Sequence, residues 1–383
     1  MGGAFGHMPH PFDLEKVKSG EDLINQFYLI QRKINQRNIE ETFNVKIDGA
    51  NLSCKLVGSE FALDRGTQKP VDVNGITINR IHERYRPDFS LYGDIQNLLS
   101  ILNNAYNDIL PELSELGMTT DNSKFLNIEF VSSKNVIDYD FSFIAIHGLS
   151  QFYEKWKKVK GGKFINTRHG IPNPKSINKA ISTEIDYNQN TMVTLIEKLK
   201  VHAQEFGIKV FGPISASKLK ESNIEAALET TFHIPTDHNT EFLSSNNGNT
   251  LRQWLQSIQQ LPAFYSIKEK RYNNFYEKID GKKINPYHKN TYVDIIENGV
   301  PISSIMKHQT IDDVAAGIVI LHATRMVGQS ILNCLTSEIG PVTTHEGIVI
   351  RDNEFSDHAF KITGEYLVKG MFGTIAKDAA VAS

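Results

Sequence analysis

Phe43-Asn44-Val45-Lys46-Ile47-Asp48-Gly49-Ala50-Asn51-Leu52-Ser53-Cys54-Lys55-Leu56 is the stretch from which the fold class can be read. Val45 and Ile47, then Leu52, Cys54 and Leu56, then Phe61 and Leu63 alternate with polar residues. Asp48-Gly49-Ala50-Asn51 and Gly58-Ser59 separate the three runs. Period-two alternation broken by turn residues predicts antiparallel strand, turn, strand, turn, strand from Thr42 to Gly66. Lys46 ends the first strand and enters a tight Asp48-Gly49 turn. Asp-Gly between alternating apolar runs is also a hairpin signal in its own right, so at this point the turn has a bland reading as well as a chemical one.

Outward from this stretch the pattern is mixed. Ser19-Gly20-Glu21-Asp22 predicts a helix start, with Leu23, Phe27, Ile30 and Ile34 following at helical spacing. Residues 90–117 place Leu98, Leu99, Leu102, Ala105, Ile109 and Leu113 on one helix side, whereas Phe125 to Val131 and Ile137 to His147 read as buried strands. Residues 191–206, 215–231, 249–261 and 311–336 fit helices, and strand character returns at His345 to Arg351 and Ala359 to Ile362. The expected organisation is an N-terminal arm (1–18), the first part of an α+β domain (19–150), a large, mostly helical insertion (151–340), and the final strands with a tail (341–383).

Composition narrows the function. Lys and Arg number 41 against 44 Asp and Glu, giving net charge −3, so the chain is no general coater of nucleic acid. Any such partner must be gripped locally. Cys54 and Cys334 form no Cys-x-x-Cys pair, which excludes a zinc ribbon and a disulfide scaffold and suits a reducing cytosol. No run of 18 apolar residues occurs, and no membrane contact is expected. The opening Met1 to Phe12 reads as a solvated Gly/His/Pro arm rather than a signal peptide.

The chemistry-bearing residues sit on or beside the predicted core strands. Glu129 lies within Phe125-Leu126-Asn127-Ile128-Glu129-Phe130, where an acid is costly unless paired or metal-bound. Glu346 precedes Gly347-Ile348-Val349-Ile350, Lys361 sits in Phe360-Lys361-Ile362, and Arg65-Gly66 follows the second strand pair. Lysines, an arginine and carboxylates on separate strands are more than a solvated face supplies.

In this order, Lys46-x-Asp48-Gly49, Arg65-Gly66, Glu129, the Phe141-Ser142-Phe143-Ile144-Ala145-Ile146 strand, Glu346-Gly347 and Lys361 resemble the motifs of the covalent nucleotidyltransferases. That superfamily includes ATP-dependent RNA and DNA ligases and mRNA-capping guanylyltransferases. The resemblance covers roughly residues 40–150 and 340–366 and implies a nucleotidyltransferase domain of antiparallel sheets (ATP-grasp-like). It implies ATP and Mg²⁺ as cofactors and Lys46 as the nucleophile attacking the α-phosphate, held by the Asp48-Gly49 turn. Arg65 would clamp sugar, phosphate or acceptor end, and Glu129 would accept from the ribose. Phe143 or Phe141 would lie on the purine. Glu346, with Glu129 as a further carboxylate, would hold the metal. Lys361 would neutralise the α-phosphate. The implied reaction is RNA-end sealing ahead of DNA, in the cytoplasm.

Three departures accompany the resemblance. Lys361-Ile362-Thr363 has one lysine where relatives carry Lys-x-Lys, leaving Thr363 or Lys369 as its replacement. His147 stands where relatives often carry an acid. Too few residues follow Lys361 for the OB-fold of DNA ligases and capping enzymes, which favours the RNA-ligase branch or else a truncated chain. The opening of the chain is similar to that of some tailed-phage proteins, so a host cytoplasm or virion location follows. Alternatives are a capping-type transferase, or a phage virion or scaffold protein with a ligase-like fold, its insertion contacting protein. His345 is expected on the surface or in support of Glu346, on the opposite sheet face. His233 and His238 are candidate metal ligands. The basic stretches at Lys155 to Arg168, with Trp156, and at Lys268 to Arg271, with Tyr272, are candidate RNA contacts.

Overall fold

A computed structural model describes residues 8–36, 39–64, 75–83, 85–88, 92–132, 139–153, 156–159, 163–166, 181–228, 234, 236–237, 240, 243, 311–357 and 359–364. Its strands in chain order are β1 (Phe43–Lys46), β2 (Ala50–Val57), β3 (Glu60–Asp64), β4 (Lys124–Val131), β5 (Phe143–Tyr153), β6 (Trp156–Val159), β7 (Lys163–Asn166), β8 (Ile181–Glu184), β9 (Lys209–Phe211), β10 (Ser217–Lys218), β11 (Leu335–Ser337), β12 (Gly340–Pro341), β13 (Gly347–Ile350) and β14 (Phe360–Thr363). Its helices are α1 (Gly20–Asn35), α2 (Tyr92–Glu115), α3 (Gln189–Gln204), α4 (Ile224–Ala227) and α5 (Ile311–Leu332). The α+β class is therefore as expected. The chain forms two compact units, Met1–Met8 with Ile47–Ile214 and Pro9–Lys46 with Ser215–Ser383.

The first unit is built on a sheet ordered β3-β2-β4-β5-β8, with β9 also pairing β5. All its pairings are antiparallel except β5 with β9, a parallel pair in a sheet expected to be purely antiparallel. Leu52, Cys54 and Leu56 alternate onto one face and pack with Leu126, Ile128, Ile144 and Ile146 against α2 and α3. The apolar stripe of α2, Leu98, Leu99, Leu102, Ala105, Ile109 and Leu113, is buried here as its spacing predicts.

In the second unit, Ser19 caps α1: its Oγ accepts the Asp22 N–H at 3.1 Å, and Asp22 Oδ2 accepts the Ser19 N–H at 3.0 Å. Leu23, Phe27, Ile30 and Ile34 are buried. The sheet β1-β13-β14 is antiparallel, and rings of Phe43, Phe355 and Phe360 meet edge-on beside it. A second small sheet runs β10-β11-β12.

Several expectations are corrected. β2 and β3 form the predicted hairpin, but β1 does not pair β2; Phe43–Lys46 pairs Ile350–Gly347 instead. Asp48-Gly49 is thus a crossing from one sheet to another, not a hairpin turn. Within 151–214 the described elements do not stand apart from the sheet as a helical body: β8 and β9 extend the first sheet, and α3 covers it. Backbone pairing of short edge strands carries little sequence signal, so their place in the sheet is set by tertiary packing. Of the helix expected over 215–231, the described residues 215–228 hold β10 and the one-turn α4 instead. β5 starts at Phe143 and runs past His147 to Tyr153. The N-terminal arm is not solvated from residue 9 onward: Phe12, Leu14 and Val17 are buried, and Pro9 O accepts the Lys361 N–H at 2.9 Å. Residues 249–261 lie outside the described residues. Among the described residues no helix is long and apolar enough to cross a membrane.

Candidate functional site

The candidate residues fall into two groups, one in each unit. In the second unit Lys46 closes β1 opposite Gly347, and its Nζ forms an ion pair with the Glu346 carboxylate. The Glu346 N–H also donates to Lys46 O at 3.2 Å, so backbone and side chain hold the same two residues together. The side chains are 16% and 9% exposed, so the pair lies largely out of water, where each charge depends on the other for compensation. Gly347 follows at φ 151°, and a Cβ there would overlap the Ile362 carbonyl oxygen. Only glycine lets β13 approach β14 this closely.

β14 brings two further residues. Thr363 pairs Gly347, itself the register partner of Lys46, and Lys361 pairs Val349 and is buried. His345 precedes Glu346 at the end of a 3₁₀ turn and is buried, which removes the surface alternative of the two expected for it. It is not a strand residue, so strand alternation does not govern where it points. Burial pushes its imidazole down to about 4.

In the first unit the polar face of the sheet lies opposite its apolar core. Asn51, Ser53 and Lys55 alternate with Leu52, Cys54 and Leu56, and Lys55 is almost wholly buried. Asn51 Nδ2 donates to Asn127 Oδ1 at 2.9 Å. Gly49 N–H donates to Glu129 Oε1 at 2.9 Å, and Glu129 Oε2 lies 3.0 Å from His147 Nε2. His147 owes this reach to a β-bulge: Asn127 pairs Gly148 but Ile128 pairs Ile146, leaving His147 as the extra residue. A Cβ on Gly49 would lie 2.6 Å from Phe130 O and 2.8 Å from Glu129 Cγ. Glycine is thus required by close approach. The Asp48 N–H donates to Tyr139 Oη at 3.2 Å.

The aromatic expectation changes in detail. Phe143 is fully buried, ringed by Tyr139, Phe141 and Phe211 at centroid distances of 5.3, 5.7 and 5.6 Å. It is therefore an anchor of this cluster and not an open stacking surface. Phe141 is only half-buried and has Lys209 Nζ 3.6 Å from its ring centre.

The fold brings Lys46 to Glu346 and Gly49 to Glu129. Arg65, Gly66, Lys369, His233, His238, Lys268 to Arg271 and Tyr272 lie outside the described residues. For Trp156 and the neighbouring lysines only the β6–β7 ribbon backbone is described. Sequence reasoning missed Asn51, Lys55, Asn127 and Tyr139. The polar alternation within β2 was the available signal for the first two. Among the described residues no group of three or more His, Cys, Asp and Glu could hold a metal ion. No protein family, no characterised protein and no solved structure matches the chain.

Proposed function

We propose that this chain is a covalent nucleotidyltransferase, an ATP-dependent polynucleotide ligase acting on RNA ends in the cytoplasm. The supporting observation is the Lys46–Glu346 pair, which joins the lysine of the Lys-x-Asp-Gly motif to the carboxylate of Glu-Gly-Ile-Val-Ile. Lys46 Nζ would attack the α-phosphorus of ATP, forming the N–P bond while the bond to the β-phosphate oxygen breaks and pyrophosphate leaves. The AMP would pass to an RNA 5′-phosphate, and a 3′-hydroxyl would then displace it to seal the strand. An ammonium has no lone pair, so attack requires the ion pair to open and Nζ to lose a proton.

The residues fit a hard cation sparingly. Mg²⁺ uses one or two carboxylates plus phosphates and water, so Glu346 beside Lys46 suffices without a preformed three-acid cluster. Bound there it would supply charge neutralisation at the phosphates. Lys361 would add positive charge, and Glu129 would meet the ribose. A second reading, a virion or scaffold protein keeping a ligase-like fold, draws on Thr363, which stands where relatives carry a lysine.

Incubation of nucleotide-free protein with Mg²⁺ and α-labelled ATP or GTP separates them. Label that survives denaturation in wild type and is lost in Lys46→Ala supports the enzyme reading. Its absence in wild type refutes that reading. Labelled RNA and DNA ends then distinguish ligation from capping-type transfer.

A further inference from the structure

The carboxylate of Glu129 is gripped from two sides: a peptide N–H of Gly49 on Oε1 and the His147 ring on Oε2. The terminal torsion of a glutamate is otherwise broad, and a single contact leaves the carboxylate free to rotate. Two contacts on different oxygens fix its plane. The side chains of Glu129 and His147 are 15% and 19% exposed, so water competes little for these bonds.

A carboxylate held in this way recognises donors. It has capacity for about four hydrogen bonds and accepts only. On a nucleotide, the phosphates are repelled by its charge, and the sugar hydroxyls are the natural donors. Resting on the nucleotidyltransferase reading above, we infer that His147 is a positioning residue that, through Glu129, sets recognition of a ribose hydroxyl. It thereby sets the preference for ribonucleotide over deoxyribonucleotide. His147 owes its place to the β-bulge and departs from the acid often found in relatives. Imidazole against Glu129 orients that carboxylate, where a second acid would repel it.

The test measures KM and kcat for lysyl labelling with ATP and with 2′-deoxyATP, alongside the thermal midpoint, in wild type, His147→Leu and His147→Gln. Loss of a hydrogen bond to a charged group predicts that His147→Leu lowers the ATP preference about tenfold, through KM for ATP, with 2′-deoxyATP little changed. His147→Gln keeps an N–H for Glu129 and retains the preference. Should His147→Leu not fold, His147→Asn, too short to reach, replaces it in the comparison with Gln. An unchanged preference, or parallel losses with both nucleotides, overturns the inference while the labelling itself stands. Absence of label in wild type overturns the underlying reading and the inference together.

Discussion

Lys46 and Glu346, 300 residues apart in the chain, meet as an ion pair where β1 runs beside β13. Replacing either residue separates its part in the fold from its part in chemistry.

Lys46→Arg keeps a cation for Glu346. Unfolding in urea is expected to fall within about 1 kcal/mol of wild type. Guanidinium does not deprotonate in proteins, so the covalent nucleotide adduct should vanish. A retained adduct would remove Lys46 from the role of nucleophile.

Glu346→Gln leaves the Lys46 charge without its partner in a largely dry setting, at an expected cost of about 2–4 kcal/mol. The double variant Lys46→Met with Glu346→Leu should recover most of that loss, because two apolar side chains leave no charge uncompensated. Urea unfolding of wild type, Lys46→Met, Glu346→Leu and the double variant, with Glu346→Gln alongside, checks both statements.

Gly49→Ala forces a methyl group against Phe130 O and Glu129 Cγ. Destabilisation of about 1–3 kcal/mol is expected, and slowed hydrogen exchange at Gly49 and Asp48 should be lost with it. A neutral substitution would mean that the crossing relaxes at no cost.

His345 makes stability pH-dependent. Its folded value of about 4 lies below the ordinary 6.5, so the unfolded chain binds the proton more readily. Stability from this group is fully present above pH 6.5 and falls as pH drops toward 4, by about 3 kcal/mol at most. The carboxylates held low by their partners, such as Asp22 and Asp352, contribute only further down, through the carboxylate range. Unfolding free energies at pH 7.5, 6 and 5 should therefore slope in wild type and lose most of that slope in His345→Leu.

The legible part of this protein was the local part. Alternation in Leu52, Cys54, Leu56, Phe61 and Leu63 fixes β2 and β3 because each strand must turn one face to the core. The 3.6 spacing in α1 and α2 does the same for helices, and Ser19 with Asp22 announces the cap that forms. Charges on apolar strands marked Lys46, Glu129, Glu346 and Lys361 as residues needing partners.

Which partner each one finds was not legible. β1 ends in a signal that equally suits a hairpin, yet its hydrogen bonds go to β13, where Phe43 packs with Phe355, itself against Phe360, far along the chain. The bulge that turns His147 toward Glu129 leaves no mark in composition or period, since it depends on how β4 and β5 align. Sequence alone determined the elements and the charges they carry. Tertiary structure decided the strand pairing and therefore which charges meet, because backbone hydrogen bonds between strands are indifferent to side-chain identity and are chosen by the packing of the whole unit.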